Sequence, residues 1–217
     1  MDDHNLLFTG YQKKVKKMIK FEVISFIGRI FSPKIRLSKN KYIQIGCGSN
    51  LKANFENIDF YPLKLKDINI KNKVSHDLRY PLPYKNKSFY GAFSEHTLEH
   101  LHFGDAINLL KEINRVLIPG SIFRCTVPDL KKYVNFYEKK DTNKFFEKFD
   151  SGAQAIWNLT QNYQHLSVWD FNLIKEKLLE AGFKNPSEKK YLEGANKDII
   201  LDMEFRSPET LYVESYA

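Results

Sequence analysis

The stretch Tyr42-Ile43-Gln44-Ile45-Gly46-Cys47-Gly48-Ser49-Asn50 decides how the chain is read. A mainly apolar run ends in two glycines, and Glu56-Asn57-Ile58-Asp59-Phe60 follows with an acid near its end. Glycine at a strand end permits unusual dihedrals and close approach of a ligand to the main chain. A dinucleotide-binding loop would use such glycines for a pyrophosphate. That pattern also needs a third glycine, a helix opening on the phosphates and an acid about 20 residues on. Here the third glycine is missing and Asp59 stands only eleven residues after Gly48, too few for a full crossover helix.

Working outward, the chain alternates short strands with helices, the pattern of an α/β fold with a mostly parallel sheet. Strands are expected at 42–46, 56–60, 73–76, 89–93 and 121–127, and two more near 198–205 and at Leu211 to Ser215. Ala106, Leu109, Leu110, Ile113, Val116 and Leu117 recur at helical spacing, with Asp105 as the expected N-cap and Pro119-Gly120 as the stop. A second helix is expected from Asp170 through Leu173, Ile174 and Leu178 to Ala181-Gly182. Residues 131–165 are aromatic and charged, and are expected to lie over the C-terminal edge of the sheet, where open parallel sheets bind ligands.

With 217 residues, 42% of them hydrophobic and 14% aromatic, the chain suits a single core, and no linker composition divides it. No uncharged apolar run is long enough to span a bilayer. Cys47 and Cys125 form no disulfide framework, and the N-terminus lacks the order of a signal peptide, so a cytoplasmic setting is expected. The net charge of +8 bears on partners rather than on fold. Lys13, Lys14, Lys16, Lys17 and Lys20 precede FEVISFIGRIF, giving residues 1–37 the character of a basic amphipathic extension ahead of a domain at 38–217. Such a helix docks on the domain or lies on an anionic membrane surface, which would make the protein peripheral at the inner face.

The pieces YIQIGCGSN, NIDFYP, SHDLRYPLPYKNKSFYGAFSEHTLEHL, LKEINRVLIPGSIFRCTVPDL and HLSVWDFNLIKEKLLEAGF occur in an order that resembles the class I S-adenosylmethionine-dependent methyltransferases. The resemblance covers roughly residues 40–216 and is closest to a small bacterial branch with a shortened first crossover. It implies a doubly wound sheet of seven strands with helices on both faces and the last strand, LYVESY, antiparallel and inserted. It also implies S-adenosyl-L-methionine as cofactor. In that family Gly46, Cys47 and Gly48 would lie against the methionyl part, Asp59 with Phe60 beside it would take the ribose hydroxyls, and Asp77 with the Leu78 amide would read adenine. Ser94 and Glu95 would line the pocket. An oxidoreductase binding NAD(P) and a non-catalytic cofactor-binding module are the alternatives.

His96-Thr97-Leu98-Glu99-His100 also spells a zinc-peptidase signature, H-x-x-E-H. It follows directly on a short buried strand rather than sitting inside a long helix, so no metal is expected, Glu99 and His100 are read as cap or packing residues, and His96 is expected to face the pocket. Methyl transfer mainly requires a nucleophile in line and a group to take its proton, and histidine suits that task near neutral pH. His96 and His165 are the candidates. The fourth strand is not followed by Asn-Pro-Pro-Tyr or Asp-Pro-Pro-Tyr, which in related enzymes holds a planar amine. Oxygen on a small molecule, sugar or lipid-linked glycan is therefore the expected acceptor, and nucleic acid is not expected.

Overall fold

The computed structural model describes residues 11–31, 35–60, 73–140 and 143–217. A helix α1 (Tyr11–Phe31) precedes β1 (Tyr42–Ile45), β2 (Phe55–Asp59), β3 (Lys73–Ser75) and β4 (Phe89–Glu95). Then come α2 (Phe103–Val116), β5 (Leu117–Pro128), α3 (Leu130–Tyr137), α4 (Gly152–Gln161), α5 (Phe171–Glu180), β6 (Lys184–Lys189) and β7 (Thr210–Tyr216). The seven strands form one sheet in the order β3-β2-β1-β4-β5-β7-β6. All neighbours from β3 to β5 are parallel, whereas β7 pairs antiparallel with both β5 and β6. The inserted antiparallel strand at Leu211 to Ser215 is thus present.

Alternation along the strands sends side chains to opposite faces. Ile43 and Ile45 join Ala92, Phe123 and Cys125 on the face covered by Leu109, Leu110 and Ile113 of α2 and by Ile174 and Leu178 of α5. On the opposite face Tyr42, Phe55, Phe93 and Ile122 are closed over by Ile199, with Leu201 beside them. The first four expected strands are in place within a residue or two.

Three expectations are corrected. Residues 198–205 form no strand: Ile199 is the apolar plug of the second face, and the segment turns through short 3₁₀ helices at Lys197–Ile199 and Glu204–Arg206. The strand instead lies at Lys184–Lys189, a polar segment containing Pro186. It is the sheet edge, where a missing N–H and charged side chains are tolerated. The N-cap of α2 is His102 rather than Asp105, which sits in the first turn and meets the positive end of the helix dipole. β5 begins immediately after α2, so Pro119-Gly120 lies within its first residues, with Gly120 at φ +84°. The cap at Asp170 holds as expected, its Oδ1 accepting from the Leu173 amide at 2.8 Å, and Gly182 closes that helix at φ +94°.

The helix α1 docks with its polar face inward. Ser25 is buried and its hydroxyl reaches Asp77, Glu22 pairs with Arg79 at 2.6 Å, and the Arg29 guanidinium lies 3.7 Å from the Tyr80 ring centroid. Ile19, Val23, Phe26, Ile27 and Ile30, one helical stripe, are all about half exposed or more. Among the described residues, no helix is long and apolar enough to cross a membrane.

Candidate functional site

Every residue singled out for cofactor contact lies at or just beyond the C-terminal end of β1, β2, β3 or β4. The chain leaves β1 through Gly46 at φ +67° and Gly48 at φ +55°, a left-handed region that favours glycine. A Cβ on Gly46 would lie 2.0 Å from Thr97 Oγ1, so the absence of a side chain there is what lets the segment after β4 pack against the loop. The loop is tied to the end of β2: Gly46 N donates to Ile58 O at 2.9 Å, and Gly48 N donates to Asp59 Oδ2 at 2.8 Å. Phe60 N donates to the other Asp59 oxygen at 2.6 Å. These two amides orient a half-buried carboxylate beside the loop. Cys47, between the glycines, is buried, and burial with the Asp59 charge pushes its thiol up to about 12.

Asp77 and Leu78 follow β3 and are both buried. The Asp77 carboxylate accepts from Arg79 Nη2 at 2.6 Å, from Arg79 Nε and N, and from the Ser25 hydroxyl. Burial would raise its pKa, but the Arg79 and Ser25 hydrogen bonds outweigh it and hold the group below the usual carboxylate range. From the same helix, the Phe21 ring meets Phe60 edge-on at 4.6 Å. Thus α1 touches two of the residues expected to hold the adenosine.

β4 delivers Ser94, Glu95 and then His96. Ser94 is enclosed between Ile45 and Cys125, its hydroxyl without a partner. Glu95 Oε1 accepts from Met203 N at 2.9 Å, and burial raises the carboxyl above its ordinary value. Met203 belongs to one wall of an open cleft of about 600 Å³, opposite Asn50 and Lys52 of the glycine loop, a size typical of ligand clefts. His96 has φ +50°, uncommon and costly for a side-chain-bearing residue. The expectation that it faces the pocket is corrected, because its turn directs the ring inward. Nε2 lies 2.8 Å from Thr210 Oγ1 and Nδ1 3.3 Å from Glu99 Oε1. Thr210 Oγ1 donates to Arg206 O, so it accepts from His96 Nε2–H.

Glu99 lies inside the short turn Leu98–His100 and is packed there rather than capping it. It is 1% exposed, and neither oxygen has a well-aligned hydrogen bond. Burial would raise its carboxyl, yet His96 and His100 beside it hold it below the usual range. The Glu99 carbonyl accepts from the amides of Leu166 and Ser167, which brings His165 alongside. The His100 and His165 rings lie 4.9 Å apart between centroids. His165 Nδ1 is 2.6 Å from Leu159 O. That contact makes Nδ1 the donor and leaves the Nε2 lone pair outward in the neutral ring. Among the described residues that follow β5, Tyr133, Phe146, Phe149, Ala155 and Leu159 form a buried cluster of their own, with Val168 packed against it.

Comparison with known proteins bears on the order and spacing of these pieces. A family model described as a methyltransferase domain matches residues 43–125, from β1 through most of β5. That stretch is a methyltransferase domain of the class I, Rossmann-like kind. Its fold is shared with an S-adenosylmethionine-dependent methyltransferase of Thermotoga maritima, described as a possible histamine N-methyltransferase, at 14% identity and TM-score 0.55, covering 96% of this chain and 97% of that one. A second such methyltransferase, from Archaeoglobus fulgidus, shares 15% identity at TM-score 0.52 over 95% of this chain and 100% of that one. A comparison with curated proteins returned no match.

The oxidoreductase alternative falls with that assignment, and S-adenosylmethionine is the cofactor of the methyltransferase. Its residues fit such a group: a diol needs two acceptors, and Asp59 offers a carboxylate already oriented by two amides. Several residues around the candidate site escape notice in sequence. Ser25 and Glu22 lie on a remote helix, and Arg79 reads as one basic residue among many. Arg124 on β5, fully buried, binds Asp202 through Nε at 2.7 Å and Glu214 through Nη1 at 3.1 Å. It also takes the carbonyls of Lys190 and Glu193, fixing the segment that carries Met203. Its place in an otherwise apolar strand was the available signal.

Proposed function

We propose that the enzyme transfers the methyl group to a hydroxyl oxygen of a small molecule, foremost a sugar, including one carried on a lipid. In this reading Asp59 holds the ribose hydroxyls and Gly46, Cys47 and Gly48 follow the methionyl part. Phe60 flanks the nucleoside, and Ser94 and Glu95 close the floor. Asp77 and the Leu78 amide meet adenine once Ser25 yields its place. The bound cofactor supplies a methyl carbon activated by its sulfonium. The chain's task is then alignment, exclusion of water and disposal of one proton.

The observation that carries the oxygen reading is the His165 ring. Its Nδ1 is fixed by Leu159 O, which leaves the Nε2 lone pair outside that contact, and the His100 ring and the largely exposed Tyr163 ring lie 4.9 Å and 6.0 Å from it between centroids. An imidazole lone pair is suited to a hydroxyl proton, and an exposed aromatic beside it suits the apolar face of a sugar ring. His96, with both nitrogens facing partners, acts as a positioning residue through Glu99. Ser94-Glu95-His96-Thr97 stands where an amine-methylating enzyme would carry Asn-Pro-Pro-Tyr.

A lipid-linked acceptor is supported by α1. Its outward stripe of Ile19, Val23, Phe26, Ile27 and Ile30 runs beside exposed Lys16 and Lys20, a combination suited to the anionic inner face of a membrane. The domain assignment follows: residues 1–37 are the attachment segment and 38–217 the methyltransferase domain.

The test is transfer of isotopically labelled methyl from S-adenosylmethionine to a panel of sugars, nucleotide sugars and lipid-linked glycans, read by fragment mass spectrometry. Label on a hydroxyl oxygen is expected. Label confined to amine acceptors overturns the assignment.

A further inference from the structure

Glu99, His100 and His165 each present a ligand atom within 4.8 Å of the other two. We infer that these three side chains form a site for one divalent first-row transition metal ion, which holds the acceptor hydroxyl for methyl transfer. The inference deepens the oxygen reading above and rests on it.

The set differs from the one spelled by the sequence. H-x-x-E-H would use His96 and His100 one helical turn apart, but the turn at Leu98–His100 is a single 3₁₀ turn and His96 is drawn away to Thr210. His165 takes its place from a segment 69 residues further on. Two independent features point to a ligand. The first is Glu99 itself. An enclosed carboxylate with poorly satisfied oxygens is expensive, and buried charges are normally paired or coordinate a metal. His96 lies at 3.3 Å from Oε1 alone. The second is an outer contact on one imidazole, where His165 Nδ1–H is spent on Leu159 O and Nε2 is left as that ring's ligand atom. Metal-binding histidines characteristically donate their other N–H to a carbonyl or carboxylate, which fixes the tautomer and turns the lone pair toward the ion.

Two imidazoles and one carboxylate suit zinc, cobalt or manganese better than calcium or magnesium, which favour all-oxygen surroundings. Glu99 is buried but His100 is exposed and His165 partly so, leaving coordination positions open on the solvent side. An acceptor hydroxyl seated there is acidified by the ion. The balance is simple: the hydroxyl proton passes to water, its oxygen forms the bond to the methyl carbon, and the carbon–sulfur bond breaks to give S-adenosylhomocysteine and a methyl ether. No electron transfer is involved. With the ion in place His165 serves as a ligand, and the metal replaces the free imidazole as the group that acidifies the hydroxyl.

The experiment uses full-length protein freed of metal by chelation and titrated with Co²⁺, read by visible ligand-field absorption and by metal analysis. One cobalt per chain is expected. His100→Ala, at an exposed position that leaves the fold intact, and His165→Ala should each weaken binding at least tenfold, whereas His102→Ala should not. Binding of S-adenosylhomocysteine, followed by calorimetry, should persist in all three variants. Failure of the cofactor to bind would instead count against the cofactor placement and leave the cobalt result standing. No cobalt uptake, or uptake undiminished in the double variant His100→Ala, His165→Ala, overturns the site.

Discussion

The hydroxyl of Ser25, on the N-terminal helix, donates to the carboxylate of Asp77, at the end of the third strand's turn. Arg79 Nη2 and Nε take the remaining positions on that carboxylate. An adenine amino group can reach Asp77 only by displacing a partner. Ser25→Ala is therefore expected to tighten S-adenosylmethionine binding, by up to about tenfold if a hydrogen bond of about 1.4 kcal/mol is removed from the competing state. Calorimetry on the full chain reads this directly. Equal affinities would mean that helix and adenine do not compete.

The same carboxylate sets a pH dependence for the helix. Asp77 is held below its ordinary value of 3.8, so its contribution to docking α1 is complete above that value and is lost as pH falls through the depressed folded value. Hydrogen exchange in Phe21–Phe31 should accelerate as pH falls below about 4, beyond the intrinsic pH effect. Asp77→Asn should abolish that acid-induced step.

Asp59→Ala removes the acceptor placed beside the glycine loop and also strands the Gly48 and Phe60 amides. Cofactor affinity should drop by about 1–3 kcal/mol, measured by calorimetry with S-adenosylhomocysteine. An unchanged affinity would show the ribose to lie elsewhere.

Arg124→Met leaves Asp202 and Glu214 facing each other in a buried space. Breaking such a set costs about 3–5 kcal/mol, which in a domain of this size lowers Tm by about 10 °C. A scan showing less than a third of that shift would mean that water enters and solvates the acids.

Val23→Asp with Phe26→Asp places two charges on the outward stripe of α1 without touching its docked face. Sedimentation with anionic vesicles at low salt should be lost, with the melting temperature unchanged. A wild-type chain that ignores such vesicles removes the membrane assignment.

The parallel half of the sheet was legible because each strand pairs an apolar run with a turn signal, as in Ile43 to Gly48 and Phe89 to Glu95. The edge strand was not, since Lys184 to Lys189 faces solvent and contains proline, leaving no apolar period to detect. Ile199-Ile200-Leu201 misled in the opposite direction: an apolar triplet can plug a face without pairing. The glycines after β1 and Asp59 at the end of β2 could be placed at strand ends because each closes an apolar run. The partners of Asp77 were not, because a contact across 52 residues leaves no local pattern. Nor was the grouping of Glu99 with His165, which depends on main-chain bonds from Leu166 and Ser167 to the Glu99 carbonyl.

The position of β7 has a bearing on how the molecule is made. A growing chain emerges from its N-terminal end, so β6 is synthesised before the strand that joins it to the rest of the sheet. Through that interval β5 shows an unpaired edge running Ile122 to Pro128, and Arg124 has not yet met Glu214. An open edge of this kind is a template for pairing with other chains. Until Thr210–Tyr216 arrives that edge of β5 is open to pairing with other chains, and its arrival covers it.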